Sequence, residues 1–495
     1  MPSRHLPSIV PSIAPLIVLL HALVWSSAAS GEALTLTDCR LDAGPGLATV
    51  KARCGTLERT ENPDEPDGRR IALRVAVIPA LSIEPEPDPV VPLAGGPGQA
   101  ATDFYVAYRG AFEDMRRERS ILLVDQRGTG DSARLTCPEG EGMLDDVPDP
   151  EEIGPMIEEC LADLDADPRY YTTSVAVEDL EAVRDALGYP ALNLYGISYG
   201  TRVAQHYLRR YPQRTRTVVL DGVVPVGKAL GPEIALFAQA ALDTIFRRCA
   251  ADGTCAGQFP GVEDRFARLR QELATEPQTV RLPHPVTGEP TEQRFSPEEL
   301  ATAVRLLSYA PQTAALLPHL ISQAAEGNFA PLAAQAMMIE ASLQEQLAIG
   351  MHNSVVCAED MPFVNESLID RPALAGTYIG EEQIDLLQEI CRYWPRGVID
   401  PDFREPLETD VPVLVLSGEY DPITPPAWGD LAAAGLGNAR HLVGPGQGHG
   451  LLPAGCTPRI VGEFIETADV ANIDAECITR LQATPFFLDF NGPSP

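Results

Sequence analysis

Basic residues are scarce in this 495-residue chain: 37 lysines and arginines stand against 70 aspartates and glutamates, a formal net charge of −33. A surface of that sign repels phosphate backbones, which argues against nucleic acid or an anionic membrane as partner. It leaves a solvated acidic surface, or a preference for cationic substrates. No CxxC pair and no cysteine–histidine cluster at ligand spacing occurs, so neither a metal nor a cofactor is expected. After residue 25 no apolar run has the length and purity of a membrane-spanning helix. Internal repeats and low-complexity tracts are absent as well.

The first residues are of a different kind. Arg4 and His5 precede an apolar stretch, residues 13–25, and then Ser26, Ser27, Ala28, Ala29, Ser30 and Gly31. A basic start, a short apolar core and small residues at the exit describe a secretory signal peptide, cut between residues 28 and 33. The first cysteine is Cys39, so a lipoprotein anchor is not expected. The remainder should be secreted or periplasmic, with no membrane partner. Ten cysteines suit that compartment. Spacing alone does not dictate connectivity, but they fall into local couples: Cys39–Cys54, Cys137–Cys160, Cys249–Cys255, Cys357–Cys391 and Cys456–Cys477.

Short Val/Leu-rich runs alternate with amphipathic helices. Residues 70–80 alternate as a half-buried strand; 90–93, 121–124, 192–195 and 218–220 are continuous apolar runs. The Pro-rich stretch before Val90 reads as loop. Val177, Leu180, Val183 and Leu187 recur at helical spacing before the stop at Gly188 and Pro190. This pattern predicts a mostly parallel sheet covered on both faces.

"LNLYGISYGTRVAQHYLRRYP" sets Ser198 between Gly196 and Gly200, at the junction of a strand and a helix. A nucleophilic serine needs such a turn to free its oxygen, and glycines remove the side chains that would collide there. The helix start also places positive potential where negative charge develops. The alternative is a tight turn with an inert serine. A base and an orienting acid should follow in the order serine, acid, histidine. Asp421 lies after the apolar run 413–416; His449 lies in "GQGHG" after the short strand 441–443. Of eight histidines, two are in the signal, His206 follows the serine, His284, His319 and His352 fall in the inserted block, and His441 is within a strand. Asp221 is the rival acid, since it too ends an apolar strand; Asp421 is preferred because its strand directly precedes that of His449. Two backbone N–H groups must hold the oxyanion. Tyr199 supplies one, and "AGGPG" the other, from Gly96 or alternatively Gly95.

The ordered set "LAGGPGQ", "VDQRGTGDS", "LYGISYGTRVAQHYLRRYP", "LSGEYDPITPP" and "GQGHG" resembles the tripeptidyl aminopeptidase-like α/β-hydrolases and, more distantly, the prolyl aminopeptidases. It spans nearly all of the chain after the signal, including a segment like that family's C-terminal region. The prolyl aminopeptidase pattern begins His-Gly-Gly-Pro-Gly; here Ala94 replaces the histidine, which weakens the case for prolyl specificity but spares the backbone donors. The resemblance implies a serine exopeptidase with an α/β-hydrolase core and an inserted helical cap. The expected division is a signal peptide over 1–30, core over 31–224, cap over 225–400, core again over 401–485 and a tail over 486–495. Within the cap, "SVVCAEDMPF" carries Glu359 and Asp360 beside Cys357. An aminopeptidase needs carboxylates for the substrate ammonium, so these two are candidates; solvated surface acids are the other reading. The expected function is an exported aminopeptidase acting on peptides with a free N-terminus. A carboxylesterase is the alternative chemistry, and a non-catalytic binding protein the third possibility. Oligomeric state is not legible.

Overall fold

Alternate residues of the central strands split between two cores, and this parity builds the molecule. The computed structural model describes residues 1, 3, 34–42, 49–137 and 150–493. The expected signal peptide therefore lies almost wholly outside the described residues. Eleven strands occur among those described: β1 (Thr37–Leu41), β2 (Val50–Thr60), β3 (Arg70–Ile78), β4 (Glu86–Leu93), β5 (Arg119–Val124), β6 (Leu192–Ile197), β7 (Thr215–Asp221), β8 (Gln278–Pro283), β9 (Pro290–Phe295), β10 (Val413–Gly418) and β11 (Ala439–Gly444). Nine form one sheet in the order β1-β2-β3-β5-β4-β6-β7-β10-β11. The links among β1, β2, β3 and β5 are antiparallel, and those from β5 to β11 are parallel.

Leu192, Leu194, Val218, Leu220, Val413 and Val415 enter the core on one face. Tyr195, Val219, Leu414 and Leu416 enter the core on the other. Strands buried on both faces need helices on both, which is why their sequences read as unbroken apolar runs. Helices α2 (Pro150–Asp163), α3 (Thr173–Ala186) and α4 (Tyr199–Arg210) line the first face. The opposite face takes α1 (Ala101–Tyr108) and a helix over Thr457–Thr467.

Three features depart from expectation. The edge strand β1 and its neighbour β2 fall outside the sequence expectation. In β2 only Ala52, Cys54 and Leu57 are buried, between charged neighbours, so its apolar signal is thin. Strand β4 begins at Glu86 and includes Pro87 and Pro89, where the Pro-rich composition predicts loop. Its pairing with β5 shifts register between Glu86 and Val90, an irregularity that accommodates residues without an N–H. The block between β7 and β10 is also not purely helical. Besides helices such as Ile234–Ala251, Val262–Thr275, Pro297–Leu307 and Ala330–Gln346, it holds the β8–β9 hairpin, where Val280 and Leu282 alternate inward. This block has its own core, including Leu242, Phe246, Phe266, Leu300 and Leu320. The last segment returns to it: Phe486 packs into that core and the Phe487 N–H bonds Ala315 O at 3.1 Å. All ten cysteines are paired in the five couples expected from their order. No described helix is long and apolar enough to cross a membrane.

Candidate active site

Strand β6 ends at Ile197 and α4 begins at Tyr199, so Ser198 alone makes the turn. Its φ of 55° and ψ of −125° put a non-glycine residue in a strained conformation. The glycines on either side are there for steric reasons. A Cβ at Gly196 would lie 2.4 Å from Gly200 O, and one at Gly200 would lie 2.1 Å from Leu93 O. The Ser198 N–H donates to Asp221 O at 3.0 Å, and the Thr201 N–H to Ser198 O at 2.9 Å. The strain is thus held from both sides of the turn.

The acid and the histidine follow the ends of adjacent parallel strands, β10 and β11. His449 Nδ1 is 2.8 Å from Asp421 Oδ2. Asp421 is fixed in turn: Oδ1 accepts the N–H groups of Ile423 and Thr424 at 3.0 and 2.9 Å, and Oδ2 accepts the Thr424 hydroxyl at 2.9 Å. Burial opposes a charge on His449, but attraction to Asp421, its hydrogen bond and the field of Asp221 outweigh it. The imidazole pKa therefore lies above its ordinary value. From the inserted block, Tyr309 sets its ring edge-on to the His449 ring at 5.3 Å, and its backbone O accepts the His449 backbone N–H at 2.7 Å.

The rival acid has a different task. Asp221 accepts the N–H groups of Leu451 and Leu452 at 2.7 and 2.8 Å and the Tyr195 hydroxyl at 2.8 Å. It braces the loop that carries His449 instead of orienting the ring. Ser198 and His449 flank the same short stretch: Ser198 bonds Asp221 O, and a Cβ at Gly222 would sit 3.0 Å from His449 Cε1.

The glycine loop after β4 lies beside the serine. Gly95 makes the contact, since a Cβ there would be 3.2 Å from Ser198 Cβ and 3.7 Å from its Oγ. Gly96 follows with φ of +105°, where an added Cβ would stand 2.8 Å from Gly98 N. Tyr199 is the first residue of α4, so its N–H is one of the helix-start donors without an intrahelical partner. The arrangement can activate a hydroxyl by a carboxylate-oriented imidazole and offer backbone donors to a developing oxyanion.

Glu359 and Asp360 are placed differently from the expectation of acids open to a substrate ammonium. Neither has any exposed surface. Asp360 takes Arg202 Nη2 and the Leu230 N–H on Oδ1, at 2.7 and 2.8 Å, and Arg202 Nη1 on Oδ2 at 3.0 Å. Glu359 accepts the Thr173 N–H at 2.7 Å and the Thr173 hydroxyl at 2.9 Å, with Arg202 Nη1 at 3.4 Å. Burial pushes the Glu359 carboxyl up to about 7, against the pull of Arg202. These are interior groups, already matched. Arg202, Thr173 and Gln126, whose Nε2 donates to the Tyr199 hydroxyl at 2.8 Å, carry no sequence signal of these roles; Gln126 does lie in the quoted "VDQRGTGDS", but nothing local marks its partner.

A strained serine elbow, an imidazole on a carboxylate and a glycine loop at the ends of parallel strands define the architecture of an α/β hydrolase. The sequence profile of the alpha/beta hydrolase fold matches residues 88–453. The chain belongs to that family. It is 26% identical over 436 residues to "Serine protease Hip1" of Mycobacterium tuberculosis, covering 80% of this chain and 81% of that one. It is 27% identical over 362 residues to "Putative hydrolase YuaR" of Escherichia coli, 68% of each chain. A shorter match, 26% over 231 residues, joins 41% of it to 42% of the "Tripeptidyl aminopeptidase" of Streptomyces lividans.

Proposed function

We propose that this protein is an exported serine peptidase that removes short pieces from peptides with a free N-terminus, through an acyl-enzyme. The observation that carries the reading is the His449–Asp421 contact of 2.8 Å beside the strained Ser198 turn. In this scheme His449 takes the Ser198 proton and the oxygen attacks the scissile carbonyl. The N–H groups of Tyr199 and Gly96, with Gly95 as the other candidate, hold the oxyanion. His449 then protonates the leaving amine, and water repeats the sequence in reverse roles. Aminopeptidase specificity is supported by the motif resemblance and by the names of two relatives, a serine protease and a tripeptidyl aminopeptidase. Export is supported by five disulfides and the N-terminal pattern of basic, apolar and small residues.

A fluorophosphonate probe on intact protein, with peptide mapping, tests the nucleophile: label is expected on Ser198 and none on the Ser198→Ala variant. Free and N-acetylated tripeptide amides, with a small ester for comparison, test the specificity. Cleavage of the free peptides alone is expected among the peptides. Equal cleavage of blocked and free peptides would overturn the exopeptidase reading in favour of a general hydrolase. Hydrolysis of the ester with no peptide cleaved would replace it by a carboxylesterase.

A further inference from the structure

One stretch of the inserted block touches both walls of the serine site. We propose that residues 347–360 act as a strap that positions both halves of the oxyanion hole, with His352 and Glu359 as its positioning residues. The proposal rests on the acyl-enzyme reading above and deepens it.

The first half is the glycine loop. Gly98 O accepts the Ala348 N–H at 3.0 Å, and Gln99 forms an antiparallel bridge with Leu347. His352 Nδ1 lies 3.3 Å from Pro97 O; a carbonyl only accepts, so the ring donates from Nδ1. The contact leaves no room for side chains: a Cβ at Gly98 would be 2.9 Å from Ala348 O, and one at Gly96 would be 3.2 Å from Leu347 Cδ2. The loop is therefore pressed against the backbone of the strap.

The second half is Tyr199. Its side chain is buried, and its hydroxyl lies 2.8 Å from Gln126 Nε2 and 2.7 Å from Thr173 Oγ1. The Thr173 hydroxyl lies 2.9 Å from Glu359 Oε2. Proton bookkeeping gives this chain one direction with the carboxylate ionised. Glu359 can only accept, so Thr173 donates to it and accepts from Tyr199, and the Tyr199 oxygen accepts from Gln126. Such a chain polarises each successive bond. It ties the cap to the residue whose backbone N–H is the other oxyanion donor.

The strap is itself rigid. A helix over Ile349–Val355 runs into a π-turn over Val356–Asp360, a form frequent at functional sites. Cys357–Cys391 ties it to the helix Glu382–Tyr393, Trp394 Nε1 bonds Ser354 Oγ at 3.1 Å, and Arg202 clamps Asp360. Leu135 O accepts the Met351 N–H at 3.2 Å. An element anchored this way sets two donor groups relative to each other. Oxyanion donors lose their effect when displaced by fractions of an ångström.

The test uses the full protein with Thr173→Val, Thr173→Ser, Glu359→Gln and His352→Leu. Each variant is titrated with the phosphonate probe, so that kcat refers to competent sites only. Thr173→Val and His352→Leu are expected to lower kcat by about tenfold to a hundredfold on both a free tripeptide amide and a small ester, leaving KM within about threefold. Affinity for a trifluoromethyl ketone, which forms the tetrahedral oxyanion, should fall by the same factor. Thr173→Ser should restore both, because it keeps the hydroxyl. Wild-type kcat and ketone affinity in Thr173→Val would overturn the strap. So would a Glu359→Gln defect confined to free-amine peptides and expressed in KM, which would make Glu359 the ammonium partner. Failure of the acyl-enzyme reading would look different: the Ser198→Ala variant would keep its activity.

Discussion

Replacing Asp421 by asparagine tests the orientation of the imidazole, and the structure dictates which way the new amide must face. Oδ1 of Asp421 accepts two backbone N–H groups, from Ile423 and Thr424. An NH2 group there would meet two donors and leave both unpaired, at a cost of about 1–3 kcal/mol each. The amide oxygen therefore keeps the Oδ1 position, and the NH2 takes the place of Oδ2, facing His449 Nδ1 and the Thr424 hydroxyl. Nδ1 must then accept, so the ring proton moves to Nε2 and the ring can no longer take a proton from Ser198. Loss of the correct tautomer in a triad costs about 10⁴ in turnover, roughly 5.5 kcal/mol of transition-state stabilisation. The pH profile gives a second readout. His449 must be neutral to act as base, and Asp421 holds its pKa above the ordinary value despite burial. Activity should rise with pH as the imidazole deprotonates, and in Asp421→Asn that rise should occur at lower pH, on a much reduced plateau. The measurement is kcat/KM from pH 4 to 9 on a chromogenic ester. A variant within tenfold of wild type, or an unmoved acid limb, refutes the reasoning.

Gly200→Ala should prevent proper packing of the elbow, because its Cβ would fall 2.1 Å from Leu93 O. A loss of about 3 kcal/mol or more is expected, read as a large drop in Tm; a Tm within 2 °C of wild type would contradict it. Replacing both Cys357 and Cys391 by serine opens a loop closed over a separation of 34 residues, worth about 4 kcal/mol on the chain-entropy account. Urea denaturation of the variant against the oxidised protein measures this, and an unchanged midpoint counts against a formed bond. Glu359 predicts a pH effect on stability. Its folded pKa, about 7, is raised from 4.5 by burial, with Arg202 opposing and Asp360 adding to the rise. The contribution is fully present below pH 4.5 and lost as pH rises through about 7, roughly 3 kcal/mol in all. Glu359→Gln should lose less stability than wild type between pH 5 and 8, and parallel Tm curves for the two proteins would disprove this.

What could be read from the sequence was local or repeated. The central strands announced themselves because burial on both faces demands unbroken apolar runs, as in Val413 to Leu416. The serine turn was legible because steric exclusion at Gly196 and Gly200 leaves glycine in the sequence itself. Choosing Asp421 over Asp221 depended on strand adjacency, and β10 does lie beside β11 while Asp221 is spent on Leu451 and Leu452. Strand β2 is not legible because only three of its residues are buried and their neighbours are charged. Glu359 and Asp360 misled for a related reason. Two adjacent acids read as surface or ligand groups, and the guanidinium that bonds both sits 157 and 158 residues away on α4. Pairing across such distances leaves no periodic trace.

The chain order of the sheet explains why those long-range pairs fall where they do. The inserted block leaves after β7 and rejoins before β10, between the strand of Asp221 and the strand of Asp421. Residues 347–360 of that insertion fold back across the ends of β4 and β6, where the glycine loop and the serine turn lie. Contacts made there are contacts with the backbone of the proposed site, not with remote scaffold. Ala348 against Gly98 and Glu359 bonded to Thr173 behind Tyr199 are two such contacts, and Tyr309 of the same insertion sits over His449 beyond β11. On the proposed reading oxyanion geometry depends on these joints, so a change that loosens the block should slow chemistry even on small esters.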